Sequence, residues 1–377
     1  MHAVYIGLDV HKASITMALA FAGEGPAKLH GTCSSDIDRF VVVLGQVLKV
    51  HGLEREQAKV CYEAGPCGFV LARHLRRLGY EVEVVAPSLI PTKPGERVKT
   101  DRRDARKLAR FLRSGELTAV HIPDAADEVI RDLCRARTDA MDDHMRSRQR
   151  LSALLLRNGF HYRGKSPWTE AHMRYLRELV LQDPVQKLVL EEYLQGIDRA
   201  GERVERLEQS MQLRLATWTR RPLVEAVQGL RGFQLVASMV VASEIGDFLR
   251  FAHPRSLMAY LGLVPSEHTS SQRRRQGSIT KCGNSHVRWI LVEAAHHYRL
   301  PPKVSKELSK RQEGLSREVK ELSWRAQHRL NRRFLKLTFR GVHYNKVVVA
   351  IARELAAFIW ELARLVEREE AARPKVA

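Results

Sequence analysis

Cysteine is scarce and unpaired in this 377-residue chain. Its five cysteines (Cys33, Cys61, Cys67, Cys134 and Cys282) are odd in number, scattered and without a CxxC pair. That argues against a disulfide framework or a zinc finger and fits a reducing compartment. Long apolar runs are missing too. No stretch approaches the ~18 apolar residues of a membrane span, and the best, Phe233 to Ser243, already includes Gln234 and two serines. The start, MHAVYIGLDVHK, carries Asp9, His11 and Lys12, where a secretory leader needs an uninterrupted apolar core. The expectation is a cytoplasmic protein with no membrane partner. No sequence repeat of 20–50 residues is evident either. Negative charge is in short supply: 43 Asp plus Glu face 63 Lys plus Arg, a formal charge of +20. Of the basic residues 46 are Arg and 17 are Lys, and Arg is the side chain whose planar fork grips phosphate in bidentate fashion. The excess points to a polyanion, nucleic acid before membrane.

What is present reads as a folded protein. With 44% hydrophobic and 28% charged residues, the chain can bury real cores, and its length suits two or three domains. Residues 1–125 hold 18 basic and 14 acidic groups, residues 126–222 hold 18 and 15, and residues 223–377 hold 27 and 14. About two thirds of the net charge therefore lies in the last two fifths of the chain.

The first segment, 1–125, has an α/β pattern. Val4 to Asp9 predicts a short apolar strand, and Ile15, Met17, Leu19 and Phe21 alternate with smaller residues at strand period. A helix follows Asp36, and a strand from Lys59 ends at Glu63 before Gly65-Pro66. A helix over Phe69 to Leu78, a strand over Glu81 to Ala86 and a helix over Asp101 to Arg113 complete it. The segment 126–222 is helical. Leu190, Tyr193, Ile197, Ala200, Val204, Leu207 and Met211 recur in alternating steps of three and four, a heptad seam. The seam predicts either an intermolecular or antiparallel coiled coil or one helix of an ordinary bundle. The segment 223–377 predicts helices over Phe233–Glu244, Pro254–Leu261, Ser285–Tyr298, Leu315–Leu335 and Val342–Glu367. Between Val264 and Asn284 lies PSEHTSSQRRRQGSITKCGN, polar, basic and aperiodic; so long a loop in a compact region usually has a function or is disordered.

Four carboxylates stand out. Asp9 and Glu63 end two predicted strands, where open α/β sheets place their ligands. Asp101 and Asp104, three apart at a helix start, can project from one face. Clustered carboxylates call for a hard cation, and Mg²⁺ prefers oxygen ligands. Each acid alone has a structural reading: Asp101 as helix N-cap, Asp104 as a dipole-favoured first-turn acid, Asp9 and Glu63 as turn or loop residues. An actin-like ATPase also places an Asp after its first strand, but it needs a following Gly, and here Val10, His11 and Lys12 follow. In the C-terminal loop Ser270 and Ser271 precede Arg273, Arg274 and Arg275, then Ser278, Thr280 and Lys281. Three Arg beside a hydroxyl could clamp a phosphate and stabilise its transition state; the loop could equally hold nucleic-acid backbone alone. Asn284 or Ser285 caps the next helix, which carries Arg288, and His296 and His297 read as packing or backbone contacts.

These residues resemble a known family. YIGLDVHK around Asp9, CYEAGPCG around Glu63, KTDRRDARKLA around Asp101 and Asp104, and YLGLVPSEHTSSQRRRQGSITKCGNSHVRWILVEAA around Ser270 are similar, in this order and spacing, to the DEDD transposases of the insertion-sequence 110 family. These are bridge-RNA-guided recombinases of bacterial mobile elements. The resemblance covers nearly the whole chain. It implies a RuvC-like (RNase H fold) N-terminal domain, a helical coiled-coil middle and a mostly α-helical C-terminal transposase domain. It implies Asp9, Glu63, Asp101 and Asp104 as a tetrad holding Mg²⁺ or Mn²⁺, and Ser270, with Ser271 its nearest competitor, as the nucleophile of a covalent serine–DNA intermediate. Arg273, Arg274, Arg275, Lys281 and Arg288 would contact nucleic acid. The implied partners are donor and target DNA, a structured guide RNA and further copies of the chain in a tetramer built as a dimer of dimers, acting at the bacterial nucleoid. One departure is the stretch Gly229-Leu230-Arg231-Gly232-Phe233, where the family often carries a Pro-Gly-Ile-Gly turn; a hairpin-type phosphate contact does not carry over. Two rivals stay open: a hydrolytic RuvC-like nuclease or junction resolvase with Ser270 a spectator, and a nucleic-acid-binding protein without catalysis.

Overall fold

The computed structural model describes residues 2–23, 25–91, 100–267 and 276–372. The chain divides into two compact units, Met1–Pro123 and Asp124–Ala377.

The first unit is a five-stranded mixed sheet. Strands β1 (Val4–Val10), β2 (Ser14–Phe21) and β3 (Lys28–Ser34) form an antiparallel meander. After helix α1 (Ile37–Val50), strand β4 (Ala58–Glu63) pairs parallel to β1; helix α2 (Val70–Arg77) then leads to β5 (Glu81–Val85), parallel to β4. The order across the sheet is β3-β2-β1-β4-β5. Helix α3 (Asp101–Ser114) closes the unit. Period-two alternation divides the work between the faces. Val4, Ile6 and Leu8 of β1 join Phe40 and Leu44 of α1 and Leu71 and Leu75 of α2 in one core. The opposite face is small: Ala18 and Ala20 meet Ala105 and Ala109 of α3. Gly7 makes the closest approach on this face. A Cβ there would lie 2.3 Å from the Ala109 nitrogen and 2.4 Å from the Ala105 oxygen, so α3 rests directly on the backbone of β1. The strand β3 was not expected, and the reason is its position at the edge. Its residues alternate between exposed and half-buried, leaving no apolar face to read.

The second unit is almost wholly helical. Its helices are α4 (Ala125–Arg157), α5 (Glu170–Arg177), α6 (Pro184–Leu215), α7 (Arg221–Gln228), α8 (Leu235–Ile245), α9 (Pro254–Tyr260), α10 (Ser285–Ala295), α11 (Lys306–Arg311), α12 (Arg317–Phe339) and α13 (Tyr344–Ala372). Helices α4 and α6 run antiparallel, tied by Arg137 to Glu208 at 2.9 Å and Arg203 to Asp143 at 3.1 Å. The heptad residues Leu190, Ile197, Val204 and Met211 are all buried. Leu190 and Ile197 share a cluster with Leu151 and Leu155 of α4, and Met211 shares one with Ile130 and Cys134. The predicted seam is thus spent inside the chain, against α4. In the main core α13 is the spine: Val347, Ile351, Leu355, Ile359 and Leu362 are fully buried. Helix α8, apolar except for Ser238, Ser243 and Glu244, is buried from Ser238 to Ile245 and adds Met239, Val240, Val241, Ala242 and Ile245 to the same core. Among the described residues no helix is long and apolar enough to cross a membrane.

Candidate active site

The close seat of α3 on Gly7 sets the site. Two residues along β1 from Gly7 is Asp9, roughly 7 Å at strand rise. One helical turn back from Ala105 is Asp101, roughly 6 Å at helix rise. The two lengths nearly match, so a helix laid antiparallel on β1 brings Asp101 over Asp9. Ligand atoms of Asp9, His11 and Asp101 lie within 4.8 Å of one another. His11 Nε2 stands 3.2 Å from Asp9 Oδ1 and 3.7 Å from Asp101 Oδ1. Glu63, the last residue of β4, and Asp9, one residue before the end of β1, both follow the Leu8–Tyr62 pair by one position, so the two acids lie beside each other near the ends of adjacent strands on the α3 face. Glu63 and Asp104 stay outside the tightest group. Even so, Asp104 is near enough for its charge to act on Asp9.

The local reading of Asp101 needs one correction. Thr100, not Asp101, caps α3, its hydroxyl accepting from the Arg103 N–H. The Asp101 carboxylate is therefore not consumed in capping, and it stands 59% exposed at the helix start. Burial pushes the Asp9 carboxyl above its ordinary value; the charges of Asp101 and Asp104 add to the shift, and His11 opposes it. Such a set of carboxylates, mutually repelling and rich in oxygen, suits a hard divalent cation, which would offset the repulsion. His11 and Gly7 were not picked out from sequence as parts of the site. The available signal was positional, since each is two residues from Asp9 and β1 has period two.

The serine-bearing stretch is framed rather than free along its length. Strands β6 (Pro265–Glu267) and β7 (Gln276–Ile279) pair antiparallel, with Pro265 opposite Ile279 and Glu267 opposite Gln276. The expected 20-residue loop therefore has a two-stranded base. Ser270, Ser271, Arg273, Arg274 and Arg275 lie outside the described residues. The base is tightly packed: a Cβ at Gly283, whose φ is +71°, would come within 1.8 Å of the Tyr260 oxygen. Lys281 takes a φ of 55° in this turn. Arg288 turns inward, its Nη1 donating to the carbonyls of Leu261 (3.0 Å) and Cys282 (3.1 Å), so it braces the ribbon base. Asn284 caps α10 through Val287 N at 2.9 Å, and its amide donates to Glu244 Oε2 at 2.7 Å. Glu244 is buried and takes both fork nitrogens of Arg135, at 2.8 and 3.1 Å. Burial alone would raise its pKa, but Arg135, Asn284 and Arg131 outweigh that and hold it below the ordinary glutamate value. This network ties the helix after the ribbon to α4 and α8, and nothing periodic in the sequence announced it.

The chain is similar to known proteins along most of its length. A family model for DEDD transposases of the IS110 type matches residues 6–159, which include all four acids. A second, described as the transposase IS116/IS110/IS902 family, matches residues 224–309, which include the ribbon. A Sinorhizobium fredii protein carrying the transposase name y4qE is 42% identical over 96% of this chain and 88% of its own length. The transposase for insertion sequence element IS1533 of Leptospira borgpetersenii is 29% identical over 89% of this chain and 96% of its own length.

Proposed function

We propose how this chain, which belongs to the IS116/IS110/IS902 transposase family and so cuts and rejoins DNA, divides that chemistry between its parts. In this reading residues 1–125 form a RuvC-like domain of the RNase H fold, residues 126–222 a coiled-coil region, and residues 223–377 the transposase domain with the serine loop. The order β3-β2-β1-β4-β5, with three antiparallel strands followed by two parallel ones, supports the first assignment. The observation that carries the catalytic reading is the meeting of Asp9 and Asp101 at the C-terminal end of the central strand β1.

Asp9, Glu63, Asp101 and Asp104 are the residues that would hold Mg²⁺ or Mn²⁺. Bound there, the ion supplies Lewis-acid stabilisation of phosphate charge. Ser270 supplies the nucleophile. Its Oγ bonds to the scissile phosphorus, the bond to the leaving strand's oxygen breaks, and that oxygen takes up a proton as a hydroxyl. Rejoining is the same displacement in reverse, with a hydroxyl of the new strand attacking and Ser270 leaving. Arg273, Arg274 and Arg275 offset the developing charge, and Lys281 contributes at the ribbon base. Base pairing with a guide RNA would read the sequence, leaving the protein to grip backbone and shape. Acids and serine from different subunits of a tetramer would complete one site.

The test is a denaturing gel for a covalent protein–DNA adduct, with the cognate RNA and divalent metal supplied. Wild type is expected to form the adduct, and Ser270→Ala and Asp9→Ala are both expected to lose it. Cleavage without an adduct that survives Ser270→Ala would establish the hydrolytic nuclease instead. DNA binding with no cleavage under any metal would leave a binding protein alone.

A further inference from the structure

The helical unit holds a cavity of about 850 Å³ between α4, the segment before α5, and the starts of α8 and α10. That volume is in the range of sites for small organic groups. Val236, Val240 and Ile290 line it, and around them stand large side chains with little cover: Trp289 is 60% exposed, Met145 53% and Met141 42%. Large apolar side chains gathered at the surface mark a place where something binds.

Two further observations say what kind of occupant fits. Trp168 lines the cavity with a φ of 62°, a conformation a bulky side chain adopts only under constraint. It is held there by its own N–H, which donates to Nδ1 of the buried His172 at 2.9 Å. Arg148 also lines the cavity. Its guanidinium lies 5.3 Å from the centroid of the Trp168 ring, and its buried Nε–H has no acceptor among the described residues. His144 and His286 add imidazole rings, with one carboxylate, Asp142; Arg137 is already committed to Glu208. Aromatic faces beside the Arg148 guanidinium match a group that is flat and apolar at one end and anionic at the other. An apolar helix from a partner would fill the space but bury the guanidinium charge.

We propose that this cavity captures an unpaired DNA nucleotide, its base stacked on Trp289 and its phosphate taken by Arg148. A chain that cuts and rejoins DNA must handle strands separated from their complements, and aromatic stacking serves any base. None of the residues named here belongs to the acid set or to the serine loop, so the proposal stands whether or not the covalent mechanism does.

The experiment measures binding of the full-length protein to three fluorescently labelled probes of equal length: an oligo-dT strand, a DNA hairpin duplex and an oligo-U strand. Trp289→Ala is expected to weaken oligo-dT binding by about 5- to 100-fold and to change duplex binding by less than about twofold. Trp289→Phe, which keeps an aromatic face, should retain most of the affinity. Arg148→Gln should weaken oligo-dT binding and lower its salt slope by about 0.7, one phosphate on a single strand. In the wild type, a 5-iododeoxyuridine strand should photocrosslink to Trp289, Trp168 or Met145. Unchanged oligo-dT affinity in Trp289→Ala, or crosslinks only elsewhere, overturns the proposal. So does tighter binding of oligo-U than of oligo-dT, or a change in sedimentation with DNA binding intact, which would make the cavity an RNA or a self-association site. If Trp289→Ala fails to fold, the crosslink and Trp289→Phe decide.

Discussion

Asp9 sits where a carboxylate would not be placed for stability alone, with 19% of its side chain exposed and Asp101 and Asp104 bearing on it. Burial, helped by those two charges, raises its pKa in the folded protein, so the ionised form penalises folding at neutral pH. The sign follows from linkage: a raised acid binds its proton more tightly when folded, and stability falls as pH rises through the folded value. Asp9→Asn removes the charge while keeping the shape. It is expected to abolish cleavage yet raise the melting temperature at pH 7 by about 2–4 °C. The gain should shrink as pH is lowered through the raised Asp9 value, because the wild-type acid is then neutral too. Paired thermal melts of wild type and variant across pH check this, and an unchanged or lower melting temperature at pH 7 would refute it.

At the scale of elements, the decisive contact is helix on strand. The seat of α3 depends on Gly7 having no side chain, because the atoms it faces are backbone nitrogen and oxygen that cannot turn aside. Gly7→Ala is expected to cost about 1–3 kcal/mol through overpacking. It should also lift the start of α3, carrying Asp101 and Asp104 away from Asp9. Cleavage should fall at least tenfold although no acid is touched, and chemical denaturation should show the stability loss. Normal cleavage in a destabilised Gly7→Ala protein would mean that α3 need not lie so close. The helices α4 and α6 make the complementary point. Their heptad pattern was plain in the sequence, but the pattern does not name the partner. The structure supplies one within the same chain, with Arg137–Glu208 and Arg203–Asp143 setting the antiparallel register.

For the molecule as a whole, charge is the governing property. A net +20, concentrated in the C-terminal part, predicts DNA affinity dominated by counterion release. If about six to ten phosphates are neutralised, the logarithm of the binding constant should fall against the logarithm of salt with a slope between about −5 and −9. Titrations of a duplex probe between 50 and 200 mM salt measure it, and a slope near zero would rule out backbone contacts as the main source of affinity. Much of the charge that looked available is already engaged. Arg135 holds Glu244, Arg220 holds Asp127, and Arg329 and Arg333 share Glu354. Counting residues in the sequence could not separate Arg that binds the fold from Arg left for DNA.

The sequence alone determined what is local or additive. It carried the charge excess, the α/β start and helical remainder, the two strand-end acids, the helix-start pair and the motifs that mark the transposase family. These are legible because periodicity and composition belong to neighbouring residues or to simple sums. The tertiary structure alone decided which distant groups meet. It placed Asp101 against Asp9 through a glycine contact, gave His11 a position between them, revealed the unheralded edge strand β3 and joined Asn284 to Glu244. The physical reason is that such meetings depend on how closely two surfaces can approach. That distance is set by every side chain between them, not by the pattern of either segment.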